Sequence, residues 1–518
     1  MASHKPQGEG ELKRTLTATQ LTLLGIGAII GTGIFVLTGT AAAQYSGPAI
    51  VLSFIFSGIA CTFAALCYAE FASMIPVAGS AYVYSYATMG RTTAWIIGWG
   101  LVLEYLFGAA TVSVGWSGYV VSFLKDLGLI VPPEFCNAFQ TPLIDIPVDV
   151  AATLNMKAGW QNFTEGLAKA LTEKNINAAS FSQTTGIINL PAMFIVAVMT
   201  YLLTRGIQES AKLNNIIVYV KVTVIVLFIF VGFFYLVPEN WIPFIPENPN
   251  EFGSFDKNNP SAGGFGHYGW TGILRGAGVI FFAYIGFDAV STAAQETKNP
   301  QRDMPIGIIA SLLVSTVLYI LVALVLTGIV SYTALNVPDP IAVGVNAMGE
   351  KMFWLRPIIK LGAIAGLTSV VLVMLMGQSR IFFSMSNDQL LPKTLSDIHP
   401  IFNTPAKATV LSGTVAMIIG GLLPIGILGE LVSMGTLLAF AIVCIGIIVL
   451  RKLRPDMPRP FKTPLVPLVP LLGAATAIIQ MVFLNTETQI AFVVWMSVGL
   501  VIYFSYGRKG RSEEFDKS

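Results

Sequence analysis

The chain has 518 residues, of which 54% are hydrophobic and only 11% charged, with a formal net charge of +2 at pH 7. That balance is too apolar for a string of ordinary soluble domains and reads as an integral membrane protein. The near-neutral charge gives no sign of a nucleic-acid surface, and the scattered His4, His267 and His399 form no metal-ligand pattern, so no metal or cofactor is expected.

The first apolar run begins near Leu21, is longer than the core of a signal peptide and is followed by many similar runs, so it is expected to stay in the protein. A helix crossing a bilayer needs about 20 mostly apolar residues. That rule places segments near 20–44, 48–75, 81–124, 187–204, 213–237, 270–295, 305–331, 357–384, 407–425, 428–450, 467–485 and 488–506. The third is overlong and interrupted by Glu104 and glycines. It is read as one helix, because only then does the charge bias of the loops stay in phase. Polar connections fall at 127–186 and 238–269. Cys61, Cys67 and Cys444 lie in apolar segments and Cys136 alone in a polar one, leaving no pair for an external disulfide.

Lysine and arginine in short loops set orientation. With the amino terminus inside, the opposite side receives only Lys125, Lys157, Lys169, Lys174, Lys257, Lys351 and Arg356, spread over longer loops. The chain is therefore expected to be a multi-pass plasma-membrane protein with both termini cytoplasmic. Glycosylation at the sequon "NFT" (Asn162) is not expected, since such triplets arise by chance.

"GIGAIIGTGIF" (25–35) sets four glycines at the depth where a free backbone polar group costs several kcal/mol unless protein or a wet cavity satisfies it. Gly27 and Gly31 form a GxxxG packing pair, but a second interruption, "FFAYIGFDAV", stands in the sixth segment. Interruptions at matching places in two halves point to an inverted-repeat transporter with its site at the breaks. The repeats are 20–237 and 270–450, with two further helices in 467–506 and tails at 1–19 and 507–518. The half-helix starting near Gly31, Thr32 and Gly33 offers N–H donors to a carboxylate. Carbonyls around Ile29 and around Phe282, Ala283 and Ile285 suit an ammonium group, so the pair of breaks fits a free α-amino acid.

"LTLLGIGAIIGTGIFVLTG", "CYAEFASMIPVAGSAYVYSYATMG", "FFAYIGFDAVSTAAQETKNPQRDMPIGI" and "GQSRIFFSMSNDQLLP" together resemble the amino acid, polyamine and organocation transporter superfamily, in its cationic amino acid transporter branch with bacterial proton-coupled relatives. The resemblance implies an all-α protein of about twelve membrane helices with the leucine-transporter-like 5+5 inverted repeat, broken helices 1 and 6, and alternating access. Carried over by position, it places the substrate carboxylate on Gly31, Thr32 and Gly33 and the amine on Ile29, Phe282, Ala283 and Ile285. It also puts Met374 at the side-chain end.

Ionisable residues inside a membrane are expensive and default to functional roles. Lys221 lies about eight residues into the fifth segment, on the order of 12 Å from its end. A lysine there that loses and regains a proton is a coupling device, and similar proteins place one where sodium-coupled members bind an ion; the rival is a permanently charged pin on broken-helix carbonyls. Hydroxyls of Thr368 and Ser369 keep a sodium site open as an alternative. Asp288 is read as a cap of the second half-helix or as a gating or proton-linked group. Glu104 is assigned to the pocket and Glu70 to a gate or loop contact. Arg275 and Lys360, near helix ends, need only snorkel.

Met374 fills space and donates nothing, which suits a neutral side chain better than a cationic one. The expected function is proton-coupled uptake of neutral L-amino acids, with a cationic permease or exchanger as alternative and a sensor without transport as a remote one. An enzyme is not expected, because the polar residues are isolated at helix breaks instead of forming a nucleophile and base. The expected partners are the amino acid, protons and the bilayer, with no nucleic acid; an accessory subunit is compatible but leaves no mark in the sequence.

Overall fold

The computed structural model describes residues 16–74, 80–154, 158–163, 167–168, 171–172, 174–206, 211–253 and 263–507. Most of the two tails, Lys157, Lys169, Lys257 and Thr164 of the sequon lie outside them.

The first span begins with α1 (Ala18–Ile29), started by a capping box in which Thr17 and Gln20 satisfy each other's backbone N–H groups. It resumes as α2 (33–46), whose first and last turns are π-helical. The second span is α3 (Ile50–Met74). Next come α4 (Ser80–Met89) and α5 (Arg91–Asp126). Then follow α6 (Leu190–Thr204), α7 (Ala211–Gly232), α8 (Gly269–Ile280) and α9 (Pro300–Ile329). The last five are α10 (Leu355–Asn387), α11 (Ala406–Leu422), α12 (Ile425–Leu453), α13 (Leu468–Phe483) and α14 (Thr486–Ile502). Among the described residues eight helical runs are long and apolar enough to cross a membrane, and α1, α6, α11 and α13 are shorter apolar helices.

The expected third segment is divided. Gly90 adopts φ +86°, which ends α4 and lets α5 start afresh, so the spanning helix begins at Arg91 and not at 81. The reading of one membrane helix there holds for α5, which runs unbroken through Glu104 by opening a π-turn over Leu103–Phe107.

The connection after α5 carries a feature that a wholly helical reading leaves out. Strands β1 (Pro142–Ile146), β2 (Gly159–Asn162) and β3 (Gln183–Thr185) form an antiparallel sheet in the order β2-β1-β3, with Ile144 opposite both Gln161 and Gln183. Ile144, Ile146, Ala151 and Leu171 close a small separate core beneath it. The side of the molecule bearing this sheet is called the loop face below, and the side where α1 begins and α14 ends the terminal face.

Small residues bring the central helices together. A Cβ on Gly25 would fall 2.4 Å from Ser311 Oγ, and one on Gly307 would fall 2.7 Å from Leu21 Cβ, so α9 backs α1 at close range. Gly362 meets Val224 in the same way, joining α10 to α7. In lipid, where helices gain little from hydrophobic burial against each other, such close approach supplies the packing attraction.

Candidate functional site at the breaks of the first and sixth spans

Helix α1 stops at Ile29. Ile30 is extended (ψ +101°), and the helical turn reopens after Gly31. In the sixth span α8 tightens into 3-10 turns over Phe281–Tyr284, Ile285 is extended, and Gly286 takes φ +119° before a second 3-10 run, Asp288–Glu296. Ile29, Gly31, Thr32, Gly33, Phe282, Ala283 and Ile285 are all buried. The two breaks touch. A Cβ on Gly33 would lie 2.2 Å from Ala283 Cβ, and one on Gly286 would lie 2.8 Å from the carbonyl carbon of Ala28.

The freed backbone groups are partly satisfied by side chains. The Tyr319 hydroxyl, on α9, stands 2.8 Å from both Ile29 O and Ala283 O, so one proton serves two carbonyls and each keeps a lone pair for another donor. Phe282 O accepts from Ile285 N at 3.2 Å. Thr32 Oγ1 is buried without a hydrogen-bond partner among the described residues and lies against Gly115 of α5. Tyr319 is absent from the sequence-based set. Its signal was weak: one hydroxyl in the middle of an aliphatic run.

Lys221, fully buried on α7, donates to Gly27 O and, at 3.0 Å, to Ile30 O. Its ammonium therefore replaces helix hydrogen bonds that α1 loses on unwinding. Thr368 Oγ1, expected as a possible sodium ligand, instead accepts from Trp116 Nε1 (2.9 Å) and donates to Ile364 O (2.7 Å). Ser369 donates to Gly366 O in its own helix.

Glu104 projects from the π-turn of α5, and such turns recur where a helix must re-aim side chains. Both of its oxygens are buried without a hydrogen bond among the described residues, and it lies within electrostatic reach of Asp288 and Thr436. Asp288 accepts from the Tyr105 hydroxyl at 3.0 Å, so two carboxylates from different broken or bulged helices converge below the breaks. Met374 on α10 is buried with its sulfur 3.5 Å from where a Cβ on Gly108 would be, one turn along α5 from Glu104. The backbone of two breaks, a lysine, two carboxylates and a thioether thus share one region.

The amino acid permease family model matches residues 16–505, nearly the whole chain. This chain belongs to the amino acid permease family. The permease is 45% identical over 503 residues to the branched-chain amino acid permease BcaP of Bacillus subtilis (strain 168), covering 97% of this chain and 95% of that protein. It is 43% identical to the methylthioribose transporter of the same organism, covering 96% and 94%. To the vacuolar cationic amino acid transporter 4 of Arabidopsis thaliana it is 35% identical, covering 87% of this chain and 66% of that protein. The relatives are permeases and transporters, not enzymes, and the permease is a multi-pass membrane transporter.

Three residues of the permease belong to other clusters. Glu70 stands apart from the breaks, fully buried near the terminal face. It takes Arg451 on both oxygens (3.1 and 2.7 Å), Arg459 at 3.4 Å and Thr463 N at 2.7 Å, tying α3 to the last turn of α12 and to the linker that follows it. Lys360 does not snorkel: it is 3% exposed and pairs with Asp126 at 2.5 Å. Arg275 likewise sits 4.5 Å over the Tyr45 ring, 3.9 Å from Glu430 and 3.2 Å from His267, because α2 and α12 close over it near the loop face.

Proposed function

We propose that this permease takes up neutral L-amino acids by alternating access, coupled to protons through Lys221. The observation that carries the reading is the contact of the two breaks, where Gly33 meets Ala283 and the Ile29 and Ala283 carbonyls share the Tyr319 hydroxyl beside the turn that restarts after Gly31. A zwitterion needs that pairing of donor and acceptor ends. Met374 at the side-chain end supports an apolar or small substituent, and the name of the BcaP relative, a branched-chain permease, agrees with it. Asp288 is assigned to gating or to support of the break in the sixth span, Glu104 to the substrate pocket, and Glu70 to a gate or loop contact at the inner end.

The proposal includes a leucine-transporter-like 5+5 arrangement with repeats at 20–237 and 270–450, two additional helices after them, and both termini cytoplasmic in the plasma membrane. The eight long apolar spans, the four shorter apolar helices and the interruptions in the first and sixth segments support that arrangement. The terminal face is then the cytoplasmic one.

A second reading, cationic exchange, is favoured by the buried Glu104 carboxylate, whose oxygens have no hydrogen-bond partner within bonding distance among the described residues, and by the name of the plant relative. Sodium-free proteoliposomes under an inward proton gradient distinguish the two. Labelled L-leucine and L-alanine should accumulate, collapse with the gradient and resist excess arginine and methylthioribose. Uptake that arginine abolishes, or that ignores the gradient, would sink the neutral proton-coupled reading.

A further inference from the structure

Along α9 the outer side of the molecule carries a groove in two adjoining parts, one against Pro460 and Phe461 of the linker after α12 and one against α3. The part near the terminal face has a volume of about 690 Å³ and is lined by Arg302, Pro305, Ile309, Ala310, Leu313 and Phe461. The second, about 200 Å³, continues along Ile59, Thr62 and Thr316, and the two share Ile309 and Leu313. Its walls stay open to the surroundings, since Leu313 is 62% and Ile59 49% exposed.

The wall is apolar along its length and basic at one end. Arg302 is exposed in the first turn of α9 and makes no ion pair among the described residues. Exposed Lys298 and Lys462 stand within a few residues of the lining along the chain, and no acidic side chain belongs to the lining. From Arg302 to Leu313 the helix rises about 16 Å, close to the ~15 Å of one leaflet of a ~30 Å hydrocarbon core. A free anion would use only the basic end, and a zwitterionic lipid gains less there because its own ammonium offsets its phosphate. An anionic phospholipid uses both.

We propose that this groove is a binding site for an anionic phospholipid of the terminal-face leaflet, with its phosphate at Arg302 and one acyl chain along Ile309 and Leu313. The site lies outside the substrate region, yet α9 is the helix whose Gly307 and Ser311 back α1 against Leu21 and Gly25. The lipid therefore touches the outer side of the element that supports the first break.

The test is native mass spectrometry of the full-length detergent-purified protein titrated with phosphatidylglycerol or with phosphatidylcholine of identical chains. One arginine near a membrane surface favours an anionic headgroup by about fivefold, so retention of phosphatidylglycerol should exceed that of phosphatidylcholine by that factor. Arg302→Gln should equalise the two lipids. Ala310→Phe, which fills the trough, should remove one bound lipid of either kind. Both variants are first checked for a monodisperse elution profile and an unchanged melting point. Should Arg302→Gln prove misfolded, Ala310→Phe and competition by inorganic phosphate, which should leave the lipid bound, still decide the matter. Equal retention of both lipids by the unaltered protein, a preference that survives Arg302→Gln, or displacement by inorganic phosphate would each overturn the site.

Discussion

The ammonium of Lys221 lies against Gly27 O and Ile30 O at the point where α1 unwinds, so its charge state bears directly on the geometry of the first break. Lysine to methionine keeps the length of the side chain and removes the charge. Lys221→Met is expected to abolish proton-driven accumulation to the level of empty liposomes while leaving some exchange of substrate across the membrane, because the binding backbone remains. Uptake driven by pH and counterflow in the absence of a gradient, measured on one preparation, check the split. Full pH-driven uptake by the variant would remove Lys221 from the coupling role and return it to that of a structural pin.

At the scale of elements, two contacts hold neighbouring segments in register. Gly286 combines φ +119° with a close approach to Ala28, so an alanine there meets both a disfavoured backbone and a clash with α1. Gly286→Ala is expected to cost about 1–3 kcal/mol from the backbone alone, lowering the melting point and the transport rate together. A variant with unchanged melting would show that the break relaxes freely. Glu70 makes the second contact, joining α3 to the last turn of α12 through Arg451 and to the linker after it through Arg459 and Thr463 N. Removing one partner of a buried pair leaves the other uncompensated, at about 3–5 kcal/mol. Glu70→Gln should therefore destabilise the protein and open the 454–467 linker to limited proteolysis, and an unchanged cleavage pattern would count against the clasp.

On the scale of the whole molecule, orientation is the property with a natural probe. Among the described residues the free cysteines Cys61, Cys67 and Cys444 are buried, whereas Cys136 lies half-buried beside the sheet of the loop face. Burial, and then the charge of Glu134, pushes the Cys136 thiol up to about 11. Thiolate is the reactive form, so labelling is slow at neutral pH and rises about tenfold per pH unit below that value. A membrane-impermeant maleimide is expected to label Cys136 in intact cells, about tenfold faster at pH 8.5 than at pH 7.5, and to lose that label in Cys136→Ser. Labelling confined to inverted vesicles would reverse the proposed topology.

Hydropathy and loop charge act locally along the chain, so the apolar spans of this protein and its two interruptions could be read from the amino acids alone. Gly25, Gly27, Gly31, Gly33 and Gly286 announced themselves because a helix-weakening residue at bilayer depth is costly without a reason. What the chain folds against could not be read this way. The end of α4 at Gly90 depends on a backbone angle, and the sheet around Ile144 on pairing of segments up to some forty residues apart. Tyr319 looked like one more apolar position until α9 placed its hydroxyl between two carbonyls of different spans. Arg275 and Lys360 looked able to snorkel until α2, α5 and α12 enclosed them with Tyr45, Asp126 and Glu430. The cost of a polar group is written in its own residue, but its partner is chosen by helices that meet only in three dimensions.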